Sequence, residues 1–168
     1  MVTRTSTSTT GTPKPGGAKI IGAEQNISNG PGPEVMDAAT LKGDNVVNAA
    51  GDSLGEIKAI MLDVTAGRIA YAVLSFGGFL GMGDKLFAIP WSALVLDAAE
   101  KRFILDVPKE RLEDAPGFDE DHWPSMADTN WATDVHSYYN VTPYWDDEYS
   151  ATRDPRTTAG STRGSKVY

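Results

Sequence analysis

The 168-residue chain contains no cysteine. That excludes a disulfide framework, a thiolate metal site and a thiol nucleophile in one step. Long apolar runs are missing as well. The start, Met1-Val2-Thr3-Arg4-Thr5, leads into Thr, Ser, Gly and Pro, where a secretion signal needs an apolar stretch and a membrane span needs about 20 apolar residues. A cytoplasmic protein without an integral membrane segment is expected. Basic charge is also scarce, with 15 Lys and Arg against 23 Asp and Glu. Residues 118–150 hold eight acidic side chains and no Lys or Arg at all. A nucleic-acid surface must neutralise phosphates, so no nucleic-acid partner is expected.

What is present divides the chain by composition. Residues 1–33 are low-complexity Thr, Ser, Gly and Pro, and 150–168 are similar. Such segments bury too little apolar surface to offset their conformational entropy, so both ends are expected to be disordered. Between them, order is expected to start near Met36, with a folded domain over 36–117 and a distinct segment over 118–149.

Within 36–117 the apolar pattern has the short period of strands. Asp37 can cap a helical turn Ala38–Leu41, with Gly43 suited to its stop. Val46-Val47 reads as a strand, and Ala50–Ser53 as its turn. Over Leu54 to Val64 the alternation slips phase between Leu54, Ile57 and Ile60, which a bulge or sharp bend produces. Thr65–Arg68 turns the chain. Ile69–Phe76 is apolar on both faces and predicts a central strand. Lys85–Ile89, Leu94–Leu96 and Arg102–Val107 complete the set, and Pro108 opens a short helix through Leu112. Five or six short strands without a long helix between them predict a mainly β fold, an antiparallel barrel or small sandwich.

Four motifs invite a chemical reading, and each has a plainer one. The loop Gly77–Gly83 is followed by Asp84-Lys85-Leu86, not by the Lys-Ser/Thr of a phosphate loop, and a strand follows it rather than a helix. A hairpin connection, with Phe79 and Leu80 covering the barrel end, is the plainer reading. Ser75-Phe76-Gly77 lacks the first glycine of a nucleophile elbow, since position 73 is Val, and no helix follows. His122 and His136 stand among acids without the i, i+4 partner of a helical metal site; a solvated acidic face is expected. Trp91, between two apolar strands, reads as a core anchor. No catalytic, cofactor or metal residue is therefore assigned.

The most unusual stretch is 118–149. Phe118, Trp123, Trp131, Tyr138, Tyr139, Tyr144, Trp145 and Tyr149 are more than half of the chain's aromatic residues, yet this is also its most acidic part. Acidic disordered tails are normally poor in aromatics. Asp128 can cap a helix on which Trp131, Val135 and Tyr138 share a face. Such a segment is expected to dock, with Trp131, Val135, Tyr138 and Trp145, together with Phe79 and Leu80, as interaction candidates. Its dock is either its own barrel, the favoured reading, or another protein, a sister subunit of a homodimer included.

The succession Leu41-Lys42-Gly43, Val46, Gly55-Glu56-Ile57, Leu62-Asp63, Ile69-Ala70-Tyr71, Gly77-Gly78 and Ile89-Pro90-Trp91 resembles the PRC-barrel family. That family is named for the cytoplasmic domain of the H subunit of bacterial photosynthetic reaction centres. A related barrel forms the C-terminal half of a bacterial ribosome-maturation factor. The resemblance covers about Met36 to Pro116. The run from His122-Trp123-Pro124 through Tyr138-Tyr139 to Pro143-Tyr144-Trp145 resembles the ending of many stand-alone bacterial members. The resemblance implies a small antiparallel barrel that serves as an adaptor or assembly module against another protein, without catalysis. Some members are associated with photosynthetic complexes or the inner face of the membrane. The membrane helix of the reaction-centre subunit and the second barrel of the ribosomal factor have no counterpart here, so neither specific role is carried over. A ribosome-assembly factor is the first alternative, and a small ligand- or metal-binding protein or enzyme the second.

Overall fold

Asp37 begins the first helix as its side chain predicts. Its Oδ1 accepts from the Ala39 N–H at 2.9 Å, and helix α1 follows at Ala38–Leu41. In the computed structural model, residues 16–22, 35–77 and 84–146 are described. The strands are β1 (Lys19–Ile21), β2 (Asn45–Val47), β3 (Ser53–Asp63), β4 (Arg68–Phe76), β5 (Lys85–Pro90), β6 (Leu94–Asp97) and β7 (Arg102–Leu105). A single 3-10 turn, Trp91–Ala93, links β5 to β6, and helices α2 (Lys109–Glu113) and α3 (Thr129–Tyr138) follow the last strand.

The phase slip in β3 is real and has a local cause. Its pairing with β4 shifts register between Ile57 and Ala59 and again between Met61 and Leu62. Gly55 stands at φ +132°, where a Cβ would overlap the Ser75 carbonyl oxygen. Only glycine lets the two strands close there. Past the second shift, Leu62 is largely exposed, as is Val64 beyond the strand.

The seven strands form one sheet in the order β1-β6-β7-β2-β3-β4-β5. Two expectations are corrected here. The sheet is not wholly antiparallel, because β1 runs parallel to β6 and β2 parallel to β7. Those pairs join strands far apart in sequence, so no hairpin constrains their direction. Residues 19–21 also lie inside the leader expected to be disordered, yet they form β1. A backbone ladder to Val95–Asp97, extended by Ala98 N–H donating to the Ile21 carbonyl at 2.9 Å, supplies what their own few side chains do not.

The sheet must coil. β5 and β6 are five places apart in the order, about 24 Å in a flat sheet at ~4.8 Å per strand. Yet Pro90 ends one and Leu94 begins the other, a step of at most about 14 Å of chain. Coiling brings the ends together, and the Trp91 ring accordingly meets Phe103 of β7 edge-on at 5.6 Å. Among the described residues no strand pairing joins β5 to β1 or β6, so the coil is not closed by a continuous ladder. Its inside holds the main core, including Val46, Leu54, Ile57, Leu74, Phe87, Leu94 and Phe103.

β4 is buried from Ala70 to Phe76, as a strand apolar on both faces should be. Ala72, Leu74 and Phe76 enter the main core. Ala70 and Tyr71, with Ala88 of β5, belong to a second cluster, which α3 completes through Ala132 and Val135.

Candidate functional site

The second cluster is built from α3 upward. Asp128 Oδ1 accepts from the N–H of Asn130 at 2.8 Å and of Trp131 at 3.2 Å. This cap starts the helix where the sequence places it. Ala132, Val135 and His136 are buried, Trp131 half-buried. They lie on the outer face of β4–β5, the helix docking onto its own chain.

Tyr71 is the centre of this seam. It meets Trp131 at 5.5 Å, His136 at 5.5 Å and Tyr144 at 6.2 Å, all edge-on. Trp145 meets His136 at 5.0 Å and Tyr144 at 5.0 Å. Such contacts suit the charge distribution of aromatic rings, each contributing about 0.5–1.5 kcal/mol beyond burial. Polar tethers pin the ends. Arg68 Nη1 donates to the Tyr144 carbonyl at 2.6 Å, and the Tyr144 hydroxyl donates to Asp63 Oδ2 at 3.2 Å. At the far end of α3, Arg111 of α2 donates to the Tyr138 carbonyl at 2.6 Å, while the Tyr138 hydroxyl donates back to the Arg111 carbonyl. The chain reaches α3 through Phe118, whose N–H and carbonyl bond to Leu86 at 2.8 and 2.9 Å, and through a Lys58–Glu120 ion pair.

Burial shapes the electrostatics of the seam. It drives the Tyr71 hydroxyl well above the ordinary tyrosine value, with Tyr144 adding to the effect. It also raises Tyr144, helped by Asp63, and raises Tyr139 strongly. Asp63 is lowered chiefly by the Ala66 N–H that its carboxylate accepts. Burial depresses His136, against opposition from the Ala132 carbonyl and Asp146. His136 Nδ1 lies 2.7 Å from the Ala132 carbonyl oxygen and so carries the proton. Its Nε2 and the Tyr71 hydroxyl are buried without a partner among the described residues.

The structure brings Trp131, Val135 and Trp145 together in the seam. Tyr138 stands apart from them, turned toward α2 and the edge of the main core. Phe79 and Leu80 lie outside the described residues. Two members of the seam were missed. Tyr71 reads in sequence as one more strand residue. His136 reads as part of a solvated acidic face, whereas it is 1% exposed. The available signal was the stripe Ala132, Val135, His136 and Tyr139, at i, i+3, i+4 and i+7, which competes with the stripe of larger side chains. His122 is exposed, as expected.

Elsewhere, Ser75 is buried in β4 and donates to Asp84 Oδ2 at 2.9 Å. A shallow cleft of about 350 Å³ beside it is lined by Lys42, Glu56, Lys58, Ser75 and Asp84, charges of both signs. Among the described residues no helix is long and apolar enough to cross a membrane, and no group of three His, Asp or Glu is placed to hold a metal.

The family model of the PRC-barrel domain matches residues 33–112, and over that segment the chain carries a PRC-barrel domain. No curated protein matches the chain. The match contains Tyr71 and Ala88 and ends before Phe118. The seam therefore joins a face of the family domain to a helix from outside the matched segment.

Proposed function

We propose that this is a non-enzymatic adaptor of the cytoplasm that binds another protein, and that the outer face of β4–β5 is its binding surface. The coiled sheet serves as the barrel of its family, a rigid platform. The observation that carries the reading is the occupant of that face. A capped amphipathic helix, contributed from beyond the matched domain, covers Tyr71 and Ala88. The partner fitting the same face is an amphipathic helix with small residues at its centre and an aromatic at its flank, like Ala132, Val135 and Trp131. It binds by displacing α3.

The test uses the full chain carrying Val135→Asp, whose own helix no longer docks. A labelled peptide of residues 126–146 should bind this variant more tightly than wild type. A protein retained from the native host by the variant should be released by that peptide. Equal retention by both chains, unaffected by the peptide, would move the binding surface elsewhere.

A further inference from the structure

We propose that His136 is a proton-operated latch: protonation of its Nε2 as the solution acidifies lifts α3, Tyr144 and Trp145 from the face of β4–β5. The inference deepens the reading of that face as a binding surface, because acid would uncover it. The latch itself is measurable without any partner.

The geometry decides which nitrogen takes the proton. Nδ1 already donates to the Ala132 carbonyl at 2.7 Å, so the second proton must go to Nε2. That atom is buried with no acceptor among the described residues. A charged N–H there would be desolvated and unpaired, the costliest state for a polar group. The groups facing it offer little relief. From β4 come Tyr71, itself neutral and without a partner at its hydroxyl among the described residues, and Arg68, whose guanidinium sits 5.8 Å over the Tyr144 ring. β5 presents Ala88. The C-terminal segment supplies the rings of Tyr144 at 5.8 Å and Trp145 at 5.0 Å, and the Asp146 carboxylate. On α3 itself, Asp134 points into solvent. The Ala132 carbonyl and Asp146 favour the cation, and burial outweighs both.

The sign follows from linkage. With α3 docked, His136 titrates below the ordinary imidazole value of 6.5, and with α3 released it returns toward that value. The released form therefore binds more protons, and docking weakens as pH falls through 6.5 toward the docked value. The acidic side chains of 118–146 pull both ways: protonation relieves their mutual repulsion, but it would also weaken the Asp128 cap of α3 and the Lys58–Glu120 pair. Asp63, held low by the Ala66 N–H, keeps its tether to Tyr144 through this window. The His136→Gln variant separates the imidazole from these carboxylates as the cause of a release on mild acidification.

The experiment takes the full chain with His122→Asn, which leaves His136 as the single histidine. NMR titration of the imidazole from pH 8 to 5 should place its midpoint below 6.5. Near-ultraviolet circular dichroism should lose the packed aromatic signal over the same range while the far-ultraviolet strand signal persists. Adding His136→Gln should remove the acid transition. A His136 midpoint at or above 6.5, an aromatic signal unchanged as the imidazole charges, or the same transition in the Gln variant would overturn the latch. Should the Gln variant fail to dock even at pH 8, the single-histidine titration decides alone. Failure of the peptide 126–146 to bind the opened face would sink the adaptor reading and leave this result standing.

Discussion

Gly55 and Tyr71 show how single residues set this molecule. At Gly55 the backbone takes a conformation that side chains rarely adopt, and β3 and β4 approach so closely that the Ser75 carbonyl occupies the space of a Cβ. Neither strand can yield without breaking the ladder from Glu56 to Asp63. Gly55→Ala should therefore cost about 2–4 kcal/mol, read as a lower urea midpoint with an unchanged slope. A variant as stable as wild type would mean the strands part freely at the bend. Tyr71 plays a different part. Its ring meets three aromatic neighbours while its hydroxyl has no partner among the described residues, which makes the seam apolar in character but not fully satisfied there.

Among elements, α3 is the one with a choice. It is ten residues long, short for a helix to persist alone in water, so its order depends on the surface beneath it. Its own contribution is modest. Ala132 and Val135 supply the buried apolar contact, and fully burying a valine side chain is worth about 1.5–3 kcal/mol. Ending the chain after Gly117 should leave a folded sheet that melts at lower temperature and self-associates through the uncovered Tyr71–Ala88 face. Thermal melts and light scattering compare it with the full chain. Identical melting temperature and identical scattering would show that the segment adds nothing to the sheet.

At the scale of the whole molecule, charge limits the partners. With 23 acidic against 15 basic side chains, and a covering segment without Lys or Arg, phosphate backbones meet repulsion rather than counterion release. No RNA binding with micromolar affinity should be detectable at about 150 mM salt, by mobility shift or filter retention. A salt-sensitive complex with RNA or ribosomal particles would favour a role in ribosome assembly instead.

The sequence by itself determined the local structure, because caps, turns and alternation are written in neighbouring residues. Asp37 and Asp128 start their helices where they stand, the phase slip after Leu54 becomes a bulged strand, and the two apolar faces of Ile69–Phe76 become a strand buried on both sides. It also pointed to docking for the aromatic, acidic segment, since so many aromatics cannot all face water without cost, and its described part, 118–146, packs on the sheet. What covers the second face of β4 was not legible, because the match between Tyr71 and α3 joins residues some sixty positions apart. For the same reason β1, too short to declare itself, appears only through its ladder to β6, and the parallel β2–β7 pair only through the coil of the sheet. His136 is the sharpest case. Its neighbours in sequence are polar, and only docking decides that an imidazole among acids ends up buried.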